Sequence, residues 1–340
     1  MINKEKVLDF LQEILLIDSP SGFTTNIINY LENECKKRKL AFKKNKKGNL
    51  LINIPGKSSY HLGLSAHVDT LGAMVRSINS DGTLSFTPIG GPILPTFDGE
   101  YCKIYTRNNK VYTGTFLSNA PAVHVYKDAR TLARDENTMH VRIDEEVKKV
   151  DDVKALGIES GDIIAIDPKT LILPNGFIKS RFLDDKVSVA ILFACIDYLL
   201  EQKITPNYNL TFIISTYEEV GHGASSIPEV DELLAVDMGC IGLDLNGTEY
   251  DVSICAKDGS GPYDYEMTSK LIALAKKENL GFAVDIFPFY SSDASAALRG
   301  GANIKAALIG PGVGASHGME RTNWQACENT IKLLIAYLRP

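Results

Sequence analysis

Residues 61–70 read His-Leu-Gly-Leu-Ser-Ala-His-Val-Asp-Thr, and this stretch decides the class of fold. Its apolar part, Leu62 to Ala66, is typical of a short buried strand, and it stops abruptly at the polar residues His67 and Asp69. Ligands of an open α/β sheet bind beyond the carboxyl ends of its strands, so polar residues that end apolar runs are candidate site residues. The stretch therefore predicts a buried strand that ends at a functional edge.

The sequence on both sides of this stretch alternates between helical and strand patterns. Helical spacing predicts helices over 3–17, 24–39, 185–200, 263–279 and 323–338, and apolar runs predict strands over 49–54, 62–66, 209–216, 233–237 and 304–309. Strands that alternate with helices imply an α/β fold with a mixed, largely parallel sheet and helices on both faces.

The middle of the chain has a different character. Short β-like runs at 84–86, 101–105 and 111–116 are separated by turn signals such as Asp81-Gly82 and Asn108-Asn109. We therefore expect residues 74–171 to form an inserted β-rich domain. Residues 1–73 and 172–340 would then form one α/β domain from both ends of the chain.

Composition and charge exclude several classes of partner. The 36 Lys and Arg residues against 42 Asp and Glu residues leave a net charge of -6, which is the wrong sign for a nucleic-acid binder. The six cysteines form no C-x-x-C pair, which favours a reducing compartment. The longest apolar stretch, residues 187–200, contains Asp197 and is too short to span a bilayer, and no export signal is visible. We expect a cytoplasmic protein with no membrane partner.

Polar residues interrupt or follow the predicted elements at five places. They are His67 with Asp69, Asp184-Asp185, Glu218-Glu219, Asp237, and Ser316-His317. Each has an ordinary explanation taken alone: a loop pair, a helix cap with a first-turn acid, or solvated surface. Gathered at one sheet edge, however, the carboxylates would repel one another unless cations balanced them.

A metal site satisfies this requirement. Imidazole and carboxylate ligands without thiolate suit zinc, cobalt or manganese in a catalytic site that keeps an open position. The ligands suffice for two ions, and one carboxylate can bridge ions about 3.5–4 Å apart, as in hydrolases that clamp a water and a polarised carbonyl. This chemistry is that of a peptidase or a deacylase.

The motifs resemble those of a known family, the tetrahedral (TET) aminopeptidases of peptidase clan MH, which are relatives of the glutamyl and leucyl aminopeptidases. The motifs are Ala66-His67-Val68-Asp69, Leu183-Asp184-Asp185-Lys186, Tyr217-Glu218-Glu219-Val220-Gly221, Val236-Asp237 and residues 316–322, Ser-His-Gly-Met-Glu-Arg-Thr. The resemblance covers essentially the whole chain. It implies an exopeptidase with two zinc or cobalt ions that removes residues from the N-termini of short peptides. It also implies that the β-rich insert mediates dimerisation within a larger homo-oligomer, often of twelve subunits.

The resemblance also implies a role for each site residue. His67 and Asp237 would hold one ion, Glu219 and His317 the other, and Asp184 would bridge them. The Asp69 carboxylate would accept the second ring N–H of His67. Glu218 would take a proton from the bridging water and deliver it to the leaving amine.

Three further features have two interpretations each. His222 could contact substrate or be a solvated loop residue. Asp293 could hold the free α-amino group of a peptide or be the N-cap of a helix over 294–299. The glycine run from Gly310 to Gly314 resembles a phosphate-binding loop only superficially, and we expect a turn that lines the substrate cleft.

The sequence departs from the family pattern near the substrate pocket. Thr70 stands where many relatives carry a glutamate, and the segment between Glu219 and Asp237 is short. The preferred N-terminal residue of the substrate is therefore left open. The competing functions are a metal-dependent N-deacylase or carboxypeptidase, an endoglucanase-type glycosidase that uses Glu218 with another carboxylate, and a non-catalytic metal-binding shell protein.

Overall fold

A computed structural model describes residues 2–339 of the chain. The helices are α1 Lys4–Leu15, α2 Thr25–Lys37, α3 Val150–Leu156, α4 Leu183–Glu201, α5 Tyr265–Lys277, α6 Asp293–Arg299 and α7 Trp324–Leu338, with a 3₁₀ turn at Leu94–Phe97. The strands are β1 Ala41–Lys44, β2 Leu50–Ile54, β3 His61–His67, β4 Gly72–Ile78, β5 Leu84–Ile89, β6 Tyr101–Tyr105, β7 Val111–Ser118, β8 Met139–Ile143, β9 Ile163–Ile166, β10 Leu171–Ile172, β11 Phe177–Ser180, β12 Asn209–Ser215, β13 Glu232–Val236, β14 Gly239–Cys240, β15 Val252–Asp258, β16 Gly261–Pro262, β17 Phe282–Ile286, β18 Lys305–Val313 and β19 Glu320–Asn323.

The chain divides into two compact units. One unit combines the chain up to Asp69 with the chain from Lys169 onward, and the other is the continuous segment Thr70–Pro168. The sequence predicted an insert over residues 74–171. The observed junctions lie a few residues earlier at both ends.

The first unit is built on a mixed sheet. Its central strands β12, β3, β13 and β18 are parallel, while β2 joins β12 and β15 joins β18 in antiparallel pairs. Successive residues of β3 from Leu62 onward are all buried, so both faces of the sheet are covered. This confirms the mixed α/β class that the alternation of elements predicts.

Helix α4 is buried on nearly every side and packs against α1, α7 and β3. Because an internal helix has no solvent face, its sequence is apolar all round and shows no amphipathic stripe. Its first turn is irregular: Asp184 and Asp185 have non-helical backbone angles and are joined by a cis peptide bond. Among residues 2–339, no helix combines the length and apolar character that crossing a membrane requires.

The glycine run that follows Ile309 is not a turn, contrary to the expectation from the sequence. Strand β18 continues through Gly310, Pro311 and Gly312 to Val313, and all of these residues are buried. A Cβ atom at Gly310 would lie 1.8 Å from the carbonyl oxygen of Asp237. The glycines therefore allow neighbouring backbones to approach closely, rather than allowing the chain to reverse.

The second unit is a closed six-stranded barrel with the strand order β4-β5-β8-β7-β6-β9. Its interior contains Phe86, Phe97 and Phe116, which are fully buried, and the rings of Phe86 and Phe116 meet edge to face at 4.9 Å. Closure leaves no unpaired sheet edge in this barrel. Several large apolar side chains nevertheless face outward, among them Tyr101 and Val125.

Candidate metal centre

Three of the predicted ligands come from the ends of neighbouring parallel strands. His67 is the last residue of β3, Asp237 directly follows β13, and Glu219 lies in the turn after β12. Since β12, β3 and β13 are adjacent and parallel, their carboxyl ends meet at one edge of the sheet. Residues far apart in the sequence thereby converge.

The carboxylate of Asp184 lies between the two histidines. Its Oδ1 atom is 3.1 Å from Nε2 of His67, and its Oδ2 atom is 3.5 Å from Nε2 of His317. Oδ2 also accepts a hydrogen bond from the hydroxyl of Ser316 at 3.2 Å. One oxygen toward each histidine is the arrangement that a carboxylate needs in order to bridge two cations.

His317 enters the site from the turn between β18 and β19. Its φ angle of 63° places it in the left-handed region, which is uncommon for a residue other than glycine. Its Nε2 atom lies 3.5 Å from Oε2 of Glu219 as well as from Asp184. The structure thus brings together all five residues that the sequence nominated as ligands.

Asp185 belongs to the same cluster, although the sequence gave it no separate role. Potential ligand atoms of His67, Asp184 and Glu219 lie within 4.8 Å of one another, and so do those of His67, Asp185 and Asp237. The carboxylate of Asp185 accepts the main-chain N–H of His67 at 3.3 Å. Its position directly after Asp184 was the only signal in the sequence, and adjacency alone does not show that both side chains point inward.

The donor set fits divalent cations. Two buried carboxylate oxygens, Oε1 of Glu219 and Oδ1 of Asp185, have no hydrogen-bond partner among the described residues. Buried acceptors of this kind are costly unless something compensates them. Imidazole nitrogen with carboxylate oxygen is the ligand chemistry of zinc, cobalt and manganese sites. The cluster is therefore a candidate divalent-metal centre.

The pKa values express the same excess of negative charge. Burial, together with repulsion by nearby acids, raises the pKa of Glu218 and Glu219 well above the usual range. Burial also raises the pKa of Asp237 to about 7. Although burial alone would raise it, hydrogen bonds from His317 and His67 hold the pKa of Asp184 below its usual value. Bound cations would favour the ionised form of every carboxylate here.

Asp69 contacts more groups than the sequence predicted, and through different atoms. The nearest acceptor for Nδ1 of His67 is the main-chain carbonyl of Asp69 at 2.9 Å, whereas the carboxylate lies at 3.5 Å. Because a carbonyl only accepts, Nδ1 carries the proton and Nε2 is left as the ligand atom. The Asp69 carboxylate instead accepts the N–H groups of Glu218 and Glu219 and the hydroxyl of Ser21, at 3.0, 3.2 and 2.5 Å.

Glu218 and Glu219 point to different parts of the centre. Oε2 of Glu218 lies 3.7 Å from Nε2 of His67, while Oε2 of Glu219 lies on the His317 side. Both main-chain N–H groups are held by Asp69, so the divergence of the two side chains is built into the turn.

The two weaker candidates differ in position. His222 is exposed, and its ring stacks on Tyr217 with centroids 4.9 Å apart. Asp293 is buried and accepts a hydrogen bond from Ser215, the last residue of β12, at 2.7 Å. It is not the N-cap of α6, because Ser292 occupies that position in a capping box with Ser295.

Two residues beside the centre were missed, the buried Glu320 and the partly buried Tyr290. Glu320 accepts the N–H groups of Asp184 and His317, and the hydroxyl of Tyr290 donates to the carbonyl of Met238, next to Asp237. Glu320 stood inside a quoted motif, three residues after His317, but nothing in the sequence shows that it turns back toward that residue. Tyr290 had no signal beyond its proximity to Asp293.

The fold and the gathered ligands define a metal-dependent hydrolase of the α/β exopeptidase class. The chain belongs to the M42 glutamyl aminopeptidase family, whose model matches residues 48–333. It is therefore an aminopeptidase, as the sequence motifs indicated.

Individual relatives agree with this assignment. The chain is 45% identical to the Bacillus subtilis (strain 168) protein named "Putative aminopeptidase YhfE", over 100% of this chain and 99% of the relative. A TET aminopeptidase from the marine sediment archaeon Thaumarchaeota archaeon SCGC AB-539-E09 superimposes with a TM-score of 0.89 at 18% identity, over 98% of this chain and 96% of that chain. The Pyrococcus horikoshii TET1 peptidase, described as assembling into a tetrahedron or a large octahedral shell, superimposes with a TM-score of 0.86 at 20% identity, over 98% and 99%. At these identities the two structures establish the fold alone.

Proposed function

We propose that the centre binds two divalent cations, zinc or cobalt with manganese as a further option, and removes N-terminal residues from short peptides. The observation that carries the proposal is the Asp184 carboxylate, which presents one oxygen to His67 and the other to His317. His67 and Asp237 would hold one ion, Glu219 and His317 the other, with Asp184 shared. The ions would supply Lewis acidity toward the scissile carbonyl and would lower the pKa of water.

Glu218 is the proton-transfer group in this proposal. It takes a proton from the water that attacks the carbonyl carbon, and it delivers that proton to the amine that leaves when the C–N bond breaks. Burial raises the pKa of the Glu218 carboxyl, which suits a group that must both accept and release a proton. Asp69 positions this carboxylate through the main-chain N–H of Glu218.

Asp293 is the proposed acceptor for the α-ammonium group of the peptide. It is the first residue of α6, and it is buried beside the end of β12, the strand that leads to Glu218 and Glu219. Burial raises its pKa to about 6, so that it is ionised at neutral pH and attracts a cationic group. His222, exposed on the loop that follows Glu219, would contact substrate side chains.

The test is hydrolysis of aminoacyl-p-nitroanilides and their N-acetyl counterparts by protein that has been stripped of metal and resupplied with zinc, cobalt or manganese. We expect cleavage of the free-amine compounds only, and only after metal is added. Cleavage of the acetylated compounds alone would indicate a deacylase, and sugar-polymer hydrolysis that survives chelation would indicate a glycosidase. Tight metal binding without turnover would indicate a binding protein.

The barrel of residues 70–168 is the proposed dimerisation unit, and such dimers would assemble into a dodecamer. Exposed apolar side chains on the barrel, Tyr101 and Val125 among them, support this role. Light scattering should give a mass that is a multiple of the 37.2 kDa chain. We expect Val125→Glu to reduce that mass, whereas Lys148→Glu, at another exposed barrel position, should leave it unchanged.

A further inference from the structure

Glu320 connects two segments of the metal centre that are distant in sequence. Its Oε2 atom accepts the main-chain N–H of Asp184 at 3.0 Å, and its Oε1 atom accepts the main-chain N–H of His317 at 3.1 Å. The residue is only 2% exposed. Both oxygens of this one buried carboxylate thus accept backbone N–H groups, one from the proposed bridging ligand Asp184 and one from the proposed ligand His317.

Each of the two N–H groups needs this acceptor. Asp184 lies in the first turn of α4, where N–H groups have no partner within the helix, and the N-cap residue Phe182 makes no capping hydrogen bond. His317 has a left-handed backbone, which surrounding contacts must hold in place. Glu320 therefore caps the helix from another part of the chain and fixes the turn that carries His317.

The strand pairing explains how one side chain reaches both groups. Strand β19 pairs antiparallel with β11, and Glu320 is the partner of Ser180 in that register. Strand β11 leads into Asp184, and β19 follows His317. Glu320 is consequently located where the two chain segments diverge toward the centre.

We propose that Glu320 is a positioning residue that sets the separation of Asp184 and His317 before a cation binds. The inference rests on the dinuclear centre of the proposed function. It predicts that Glu320 controls the affinity for the ion held by His317 and Glu219, while the ion held by His67 and Asp237 depends on it less.

The test is Glu320→Gln in the full chain, stripped of metal. A glutamine side chain has one acceptor oxygen and presents its NH₂ group to the other N–H, so one of the two contacts becomes a repulsion between donors. Zinc alone is titrated in competition with a chromogenic chelator, and cobalt alone is followed by its visible spectrum. We expect one of the two ions to lose about 10–100-fold in affinity while the other changes less, and we expect the cobalt spectrum to change. The exposed Glu5→Gln variant serves as the control and should match the wild type.

Uptake of both ions by Glu320→Gln with wild-type affinity and spectrum would overturn the proposal. Should this variant fail to fold, Glu320→Asp replaces it, because the shorter carboxylate keeps the charge but loses reach to one N–H. Failure of both variants to fold would also contradict the proposal, since Glu320 would then serve the stability of the fold. A wild-type protein that binds two ions but cleaves no peptide would refute the proposed function and leave this titration interpretable.

Discussion

The two adjacent acids Glu218 and Glu219 point to different parts of the candidate metal centre. One carboxylate lies near His67 and the other near His317, although the two residues share a turn. Asp69 accepts both of their main-chain N–H groups and also receives the Ser21 hydroxyl. A single buried carboxylate therefore orients both the proposed proton-transfer group and a proposed metal ligand.

Replacing Glu218 by glutamine should abolish most turnover without removing metal. The amide is nearly isosteric with the carboxylate but cannot accept a proton, so we expect kcat to fall about 10²–10⁴-fold. The measurement is kcat on an aminoacyl-p-nitroanilide together with metal content, and Glu5→Gln serves as the exposed control. Unchanged turnover would assign proton transfer to another group.

Metal affinity should fall as the pH is lowered through neutrality. In the metal-free protein burial raises the pKa of Asp237 to about 7, while hydrogen bonds that His67 donates to Asp184 and Asp69 raise the pKa of His67 despite its burial. Both groups must lose their protons before they can bind a cation, so binding releases protons. Below the pKa of such a group, the affinity for the cation falls about tenfold per pH unit for each proton that binding must release. Chelator competition between pH 8.5 and 5.5 measures this slope, and an affinity independent of pH would show that the ligands are already ionised.

Strand β18 shows how an element positions the centre without supplying a ligand. Its Gly310 passes so close to the carbonyl of Asp237 that a side chain would not fit, and the N–H of Asp237 donates to the carbonyl of Ile309 at 2.9 Å. The close approach fixes the backbone of Asp237, a proposed metal ligand, against the sheet. Glycine is used here for its size, since its φ angle is not in the left-handed region.

Gly310→Ala should therefore disturb both the fold and the metal centre. We expect it to lower the free energy of unfolding by about 1–3 kcal/mol, as overpacking does, and to weaken metal binding through the displaced Asp237. Gly242→Ala is the matched control, because a Cβ there would meet nothing within 4 Å. Denaturant unfolding and zinc titration provide the two measurements, and equal behaviour of the variants would refute the close-approach argument.

Across the whole molecule, the centre connects segments from both ends of the chain. His67 precedes the inserted barrel of residues 70–168, whereas Asp184, Asp237 and His317 follow it. A cation that binds this folded arrangement, and not the unfolded chain, stabilises the protein by mass action. We therefore expect a bound metal to stabilise the fold in addition to its proposed role in catalysis.

Removing metal should lower the melting temperature. A ligand at one hundred times its Kd contributes about 2.7 kcal/mol, which corresponds to roughly 5–10 °C for a unit of this size. Thermal unfolding with and without zinc measures this difference. Zinc should raise the melting temperature of Asp184→Asn only slightly, because this substitution weakens the shared ligand. Zinc should raise the melting temperature of Glu5→Gln as much as that of the wild type. An equal increase in Asp184→Asn would place the stabilising ion elsewhere.

Much of the fold and of the candidate site could be predicted because it depends on residue types and spacings that are local in the sequence. Apolar runs that end in His67, Glu219 and Asp237 predict strand ends at one edge, since parallel strands present their carboxyl ends together. The polar positions could be collected from such local patterns, whereas the roles of the five proposed ligands and of the proton-transfer residue came from the resemblance to the aminopeptidase family. The α/β class and the β-rich insert likewise followed from periodicity and turn residues.

Other features depend on contacts between segments that no local pattern encodes. The extension of β18 through Gly310 and Gly312 depends on how closely neighbouring backbones pass, and a glycine run alone reads equally well as a turn. The N-cap of α6 is Ser292 and not Asp293, a difference of one residue that capping geometry decides. The contacts of Asp69 with Glu218 and Glu219 require two strand ends to be adjacent in space.

The amino-acid sequence determined which chemistry this protein has, because ligand type and the periodicity of the apolar residues are local properties of the chain. The tertiary structure decided the geometry of the site. It determines which oxygen of Asp184 faces which histidine, and which backbone N–H groups Asp69 and Glu320 accept. These contacts join residues that are distant along the chain. Their geometry is set only when strands and helices pack, because hydrogen bonds depend on distance and direction and not on residue type alone.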